Sequence, residues 1–231
     1  MSDTKKSISQ DRKRTNVLHT QELALIAYLV ERMPRWVTSN MLTTIGLCGN
    51  LLVALFMLLG ALTGESWWLL LTPLGFAINW FGDSLDGRLA YYRGKPRKWF
   101  GFCLDIVVDW IGIVAIGIGY YSYVASEWKL VGFIFVALYG AEMIISQLRY
   151  KVTDRYSIDS GLLGPTEVRI ILALLFSSEY FFSGSIQWIG LAISVVLLIA
   201  FLTDFAGLLA LANERDAAAR LEQKVEHSSE S

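Results

Sequence analysis

Gly82-Asp83-Ser84-Leu85-Asp86-Gly87-Arg88-Leu89-Ala90, followed after a short basic linker by Gly101-Phe102-Cys103-Leu104-Asp105-Ile106-Val107-Val108-Asp109, sets four carboxylates inside one of the most apolar regions of the chain. A carboxylate near the middle of a bilayer helix costs about 2.5–3.5 kcal/mol, so four without partners would cost on the order of 10–14 kcal/mol. That is comparable to the stability of a whole domain. A divalent metal ion is the simplest compensation. Asp83 and Asp86 stand three residues apart and Asp105 and Asp109 four apart, so each pair shares a helix face, with Asn79 and Ala90 extending the first stripe. The linker, including Lys95-Pro96-Arg97-Lys98, is short enough to make the two helices antiparallel neighbours and to bring all four carboxylates to one volume. Oxygen donors without thiol or imidazole suit Mg²⁺ or Mn²⁺ rather than zinc. Gly87 and Gly101 remove side chains where a ligand or a neighbouring helix must come close.

The surroundings of this stretch are those of a membrane protein. Of 231 residues, 54% are hydrophobic, and apolar runs of about twenty residues, enough for a hydrocarbon core of about 30 Å, recur along the chain. They predict spans at Asn40–Leu62, Trp67–Tyr92, Gly101–Val124, Leu130–Tyr150, Pro165–Phe182 and Ile186–Ala210. No β-pattern and no repeat of fixed period competes with them. The expected fold is an all-α integral membrane protein, a bundle of six transmembrane helices covering 38–212. Residues 1–19 and 213–231 are polar and poor in aromatics and are expected as mobile tails. Between them, 20–37 reads as an amphipathic juxtamembrane helix: Leu23, Ile26, Val30, Met33 and Val37 recur at helical spacing, with a break near Pro34. It lies in the interface or packs against the protein from the cytosolic side.

The net charge of −1 hides an asymmetry. Lys and Arg gather before the first span, between spans two and three, between four and five, and after the sixth, whereas the alternate loops nearly lack them. The positive-inside rule places both termini and the aspartate hairpin in the cytoplasm, with Trp67, Trp68, Trp128 and Trp188 near the opposite interface. No nucleic-acid partner is expected. Cys48 and Cys103 fall within predicted spans and read as small buried hydrophobes rather than a disulfide framework. Nor does the amino terminus have the apolar core of a secretory signal.

The pattern D-x2-D-G-x2-A, then G-x3-D-x3-D, carried by Asp83, Asp86, Gly87, Ala90, Gly101, Asp105 and Asp109, resembles the signature of the CDP-alcohol phosphotransferase family. Pro34 and Asn40-Met41-Leu42-Thr43 resemble the start of the first span in that family. Gly164-Pro165-Thr166-Glu167 is similar, more weakly, to members that transfer phosphocholine or phosphoethanolamine. The resemblance implies transfer of a substituted phosphate from a CDP-linked alcohol to a second alcohol with release of CMP. It further implies two Mg²⁺ or Mn²⁺ ions on Asp83, Asp86, Asp105 and Asp109, with Asp109 also the general base, and a homodimer. The expected donor is CDP-diacylglycerol, in a bacterial inner membrane.

One position departs from the family: Tyr91 stands where Arg usually follows the Ala. Arg88 or Arg93 is expected to supply the cation, completing a nucleotide set with Asp83, Gly87, Ala90, Asn40 and Thr43. Asn40, Thr43 and Asn50 share one side of the first span, as pocket residues or as interhelical glue. Arg149, Lys151, Arg155 and Arg169 are expected either to bind an anionic acceptor or simply to follow the positive-inside bias; Glu142 and Glu167 are functional or pairing candidates. Two other functions use intramembrane aspartates. A prenyltransferase needs a second Asp-rich motif, and Asp204 stands alone in the sequence. A cation transport protein would string its charges through the membrane rather than cluster them at one side.

Overall fold

The computed structural model describes residues 19–153 and 165–229, with side chains from 21 to 221 outside that gap. Among the described residues seven helices follow one another: α1 (His19–Arg32), α2 (Ser39–Thr63), α3 (Thr72–Tyr92), α4 (Lys98–Tyr123), α5 (Lys129–Thr153), α6 (Pro165–Phe181) and α7 (Ser185–Ser229), with 3₁₀ turns at Ser66–Leu71 and Ser126–Trp128. The local chemistry accounts for the boundaries. Thr38 caps α2 by accepting the Met41 N–H at 3.2 Å. Gly64, at φ 72°, closes α2 in the left-handed conformation, and Pro73 opens α3 where a missing N–H costs nothing. Glu179 at the end of α6 accepts the N–H groups of Gly184 and Ile186 at 2.8 and 2.9 Å, capping α7.

α2 to α7 occupy the six apolar stretches expected from sequence. Four of them, α2, α4, α5 and α7, are long and apolar enough to cross a bilayer; α6 has 17 residues and α3 carries its charges within the helix. The protein is an integral membrane protein, and side chains such as Val196, Ile199 and Leu202 of α7 stand exposed as a lipid-facing surface requires.

α2 is the centre of the packing. It is free of charge throughout and contacts both α3 and α4, whereas α3 and α4 pack on α2 rather than closely on each other. Their short linker does not make them close-packed neighbours, because glycines draw each onto α2 instead. A Cβ on Gly49 of α2 would strike the backbone of Asn79, and one on Gly82 of α3 would strike Gly46 and Leu42. Such close backbone approach is how helices associate where the hydrophobic effect offers no drive between them. Gly119 lets α4 approach Ala54 of α2 in the same way, with 3.0 Å from its would-be Cβ to the Ala54 Cα. α5 then packs on α4 and α7, and α6 on α3.

The segments flanking the bundle are both helical. α1 is docked: Ile26, Ala27 and Val30 are buried with Leu42, Leu85 and Leu89, and Glu22 accepts from Trp80 Nε1 at 3.1 Å and Thr166 Oγ1 at 2.5 Å. Packing against the protein holds for this face, while Leu25 and Tyr28 remain exposed on the other. The segment from 213, expected as a mobile polar tail, continues α7 as helix to Ser229. Ala217-Ala218-Ala219 among Glu, Arg and Leu is strong helix-forming sequence that needs no apolar burial. At 45 residues, α7 is roughly 68 Å long, more than twice the hydrocarbon thickness. Its polar end therefore projects from the bilayer.

Candidate active site

Because α3 and α4 diverge from a common support, a cleft opens between their linker-side ends. It measures about 330 Å³ and is lined by Asp83, Asp86 and Arg88 of α3, Asp105 of α4, and Asn40 and Thr43 of α2. Tyr91, Arg97, Lys98 and Tyr150 complete its rim. Gly87 and Gly101 face it, and nothing lies within 4 Å of where their Cβ atoms would be. Their missing side chains leave room for a ligand rather than for a helix.

Asp83, Asp105 and Asp109 meet beside the cleft, the first two lining it. Each offers one carboxylate oxygen, and the three oxygens lie within 4.8 Å of one another. Asp109 sits one helical turn beyond Asp105 and does not line the open pocket. Asp86 lies outside this group of three. Its Oδ2 accepts the Thr43 hydroxyl at 2.6 Å and its carbonyl accepts the Ser39 hydroxyl at 2.8 Å, so the start of α2 holds it at the wall. Three half-buried carboxylates with hard oxygen donors and no competing thiol or imidazole fit a Mg²⁺-type ion.

Arg169, expected among acceptor-binding cations, reaches this centre from α6. Its Nη2 pairs with Asp83 Oδ2 and its Nε donates to Asn79 Oδ1 at 2.6 Å. Asn79 in turn donates to the Gly46 carbonyl at 2.9 Å, tying α3, α2 and α6 at one point. Arg149 is placed elsewhere: it pairs with Asp204 at 2.8 Å between α5 and α7. The Lys151 carbonyl accepts from Arg215, as part of the same α5–α7 contact. Arg155 lies outside the described residues.

Of the two arginines expected to replace the family Arg, Arg88 lines the cleft. Arg93 does not: it donates to the carbonyls of Met33, Pro34 and Val37, holding the α1–α2 connection. Asn50 is buried against Gly112 of α4 and serves as interhelical contact, not pocket. Sequence reasoning missed Arg97. Its signal was present in Gly94: at φ 64°, with Gly94 N–H to Tyr91 C=O and Lys95 N–H to Ala90 C=O, both 3.0 Å, it ends α3 in a Schellman turn. That turn swings the next residues back over the cleft.

The model of the CDP-alcohol phosphatidyltransferase family matches residues 36–200, which include all seven motif positions. The chain is 25% identical over 153 residues to cholinephosphotransferase 1 of Xenopus laevis, covering 64% of this chain and 38% of that protein. It thus spans well under half the length of this curated relative.

Proposed function

We propose a reaction from one premise: this chain belongs to the CDP-alcohol phosphatidyltransferase family. It transfers a substituted phosphate from a CDP-alcohol to an acceptor hydroxyl and releases CMP. The observation that carries this reading is the meeting of the Asp83, Asp105 and Asp109 oxygens within 4.8 Å at one end of a pocket of nucleotide-diphosphate scale. Those residues, with Asp86 at the wall, would hold two Mg²⁺ or Mn²⁺ ions. Bound there, the ions would neutralise the charge of the diphosphate.

The chain's own groups have distinct tasks. Asp109 takes the proton of the acceptor hydroxyl, whose oxygen forms the new bond to phosphorus as the bond to the CMP oxygen breaks. No histidine competes for that role, since His19 and His227 lie at the two ends of the chain. Asn40, Thr43, Asp83, Gly87, Arg88 and Ala90 line the nucleotide end. Residues 38–212 cross the bilayer six times, with the cleft and both termini in the cytoplasm, and the protein works as a homodimer. The donor is CDP-diacylglycerol, its acyl chains entering from the lipid.

A second reading exchanges the roles of head group and lipid. Likeness to a cholinephosphotransferase, together with Gly164-Pro165-Thr166-Glu167, favours a CDP-amino alcohol donor and a lipid acceptor. Purified protein given CDP-diacylglycerol or CDP-choline, each with a mixed alcohol and diacylglycerol acceptor pool, separates the two by which donor yields CMP. CMP from neither donor removes both.

A further inference from the structure

A nucleoside diphosphate ester brings its charge into a cleft already walled by Asp83, Asp86 and Asp105, so cations from the protein are needed beside it as well as any metal. At the position where the family has Arg, this chain has Tyr91, which lines the cleft. Arg93 is committed to backbone carbonyls. Arg97 is differently placed. The Schellman turn at Gly94 and the fixed φ of Pro96 bring it back over the cleft. There its Nη2 donates to Asn40 Oδ1 and its guanidinium lies 4.3 Å from the Phe100 ring centroid.

Stacking and a single hydrogen bond fix the plane of a guanidinium while using one of its five N–H donors. A fork held in this way suits bidentate contact with phosphate oxygens. We propose that Arg97, oriented by Asn40 and Phe100, is a phosphate-binding cation of this pocket beside Arg88 and takes the place of the arginine missing at position 91. Resting on the CDP-alcohol reading above, this assigns the diphosphate end of the substrate to the α3–α4 linker. Asn40 is then a positioning residue, acting through Arg97.

The test is CDP binding by isothermal titration of the full chain in detergent, with Mg²⁺ present. Arg97→Gln should weaken CDP binding by about tenfold or more, the loss of one charge-assisted contact, with an unchanged melting temperature. Tyr91→Arg in the Arg97→Gln background should restore most of the affinity, since it returns a cation to the same cleft. Asn40→Ala should weaken binding by a smaller factor, and Asn40→Ala in the Arg97→Gln background should add little. Wild type that binds CDP alongside an Arg97→Gln variant within twofold of it overturns the assignment of Arg97 alone. Tyr91→Arg with Arg97→Gln that keeps the wild-type melting temperature but regains no affinity does the same. Wild type that binds no CDP overturns the function reading and this inference together.

Discussion

Two arginine–aspartate pairs of the same chemistry sit in two regions of this molecule and do different things. Arg169–Asp83 joins α6 to α3 beside Asp105 and Asp109, where three carboxylate oxygens converge. Arg149–Asp204 joins α5 to α7, with side chains 28% and 23% exposed, and among the described residues no metal-holding group forms around it. The packing differs in parallel. The apolar window of α2 is 39% buried, whereas that of α7 is 6% buried. One region is a joint set by close backbone contacts at glycines; the other is a prop on a largely exposed helix. A charge in the membrane thus marks function only when its neighbours supply something to act on.

Substituting carboxylates sharpens this contrast most. Asp105→Asn or Asp109→Asn should reduce CMP release to background while leaving folded, extractable protein, whereas Asp204→Asn should retain activity per folded molecule. Equal loss in all three would erase the distinction between the regions. Glycine substitutions come next. Gly82→Leu should cost about 3 kcal/mol or more by overpacking the α2–α3 joint, seen as loss of the thermal transition in detergent. Gly87→Ala, facing open space, should leave stability unchanged or raise it by up to ~1 kcal/mol.

The two arginines give intermediate effects. Arg169→Gln should lower CMP release by roughly tenfold to a hundredfold, as expected when a partner orienting a site carboxylate is lost. Arg149→Gln should keep CMP release within about twofold and lower stability by about 1–2 kcal/mol, less than a fully buried pair because solvent screens it. Thr43→Val tests the wall of the cleft with a modest effect on activity. Removing the 2.6 Å hydrogen bond to Asp86 should cost about 0.5–1.5 kcal/mol in transition-state stabilisation, read as a few-fold drop in CMP release.

What could be read in advance follows the reach of each signal. Apolar run length depends on the chain alone, so all six expected stretches carry helices, five with both ends within about five residues of expectation, while α7 runs on from its expected end at Ala210 to Ser229. The motif aspartates were legible because spacing along a helix fixes which face they share. Rotation of one helix against another is not local, and there the reading parted from the structure. Asn50 shares a side with Asn40 and Thr43 along α2 yet meets Gly112 of α4, because α4 crosses that face further down. Arg93 and Arg97 are both linker cations in sequence, but the turn at Gly94 sends one back to Met33, Pro34 and Val37 and the other over the cleft. Arg149 and Arg169 are likewise equivalent cations in sequence, and their partners, Asp204 and Asp83, separate them. The helical run beyond residue 213 has no apolar periodicity to announce it, yet its alanines favour helix.

Cation binding by the Asp83–Asp105–Asp109 group can be measured without substrate. Mn²⁺ titration of detergent-solubilised protein, followed by electron paramagnetic resonance, should show saturable binding by the wild type. Asp105→Asn should weaken it by about tenfold or more with the melting temperature unchanged. Indistinguishable Mn²⁺ binding by the two proteins would contradict the assignment of these carboxylates as the cation ligands.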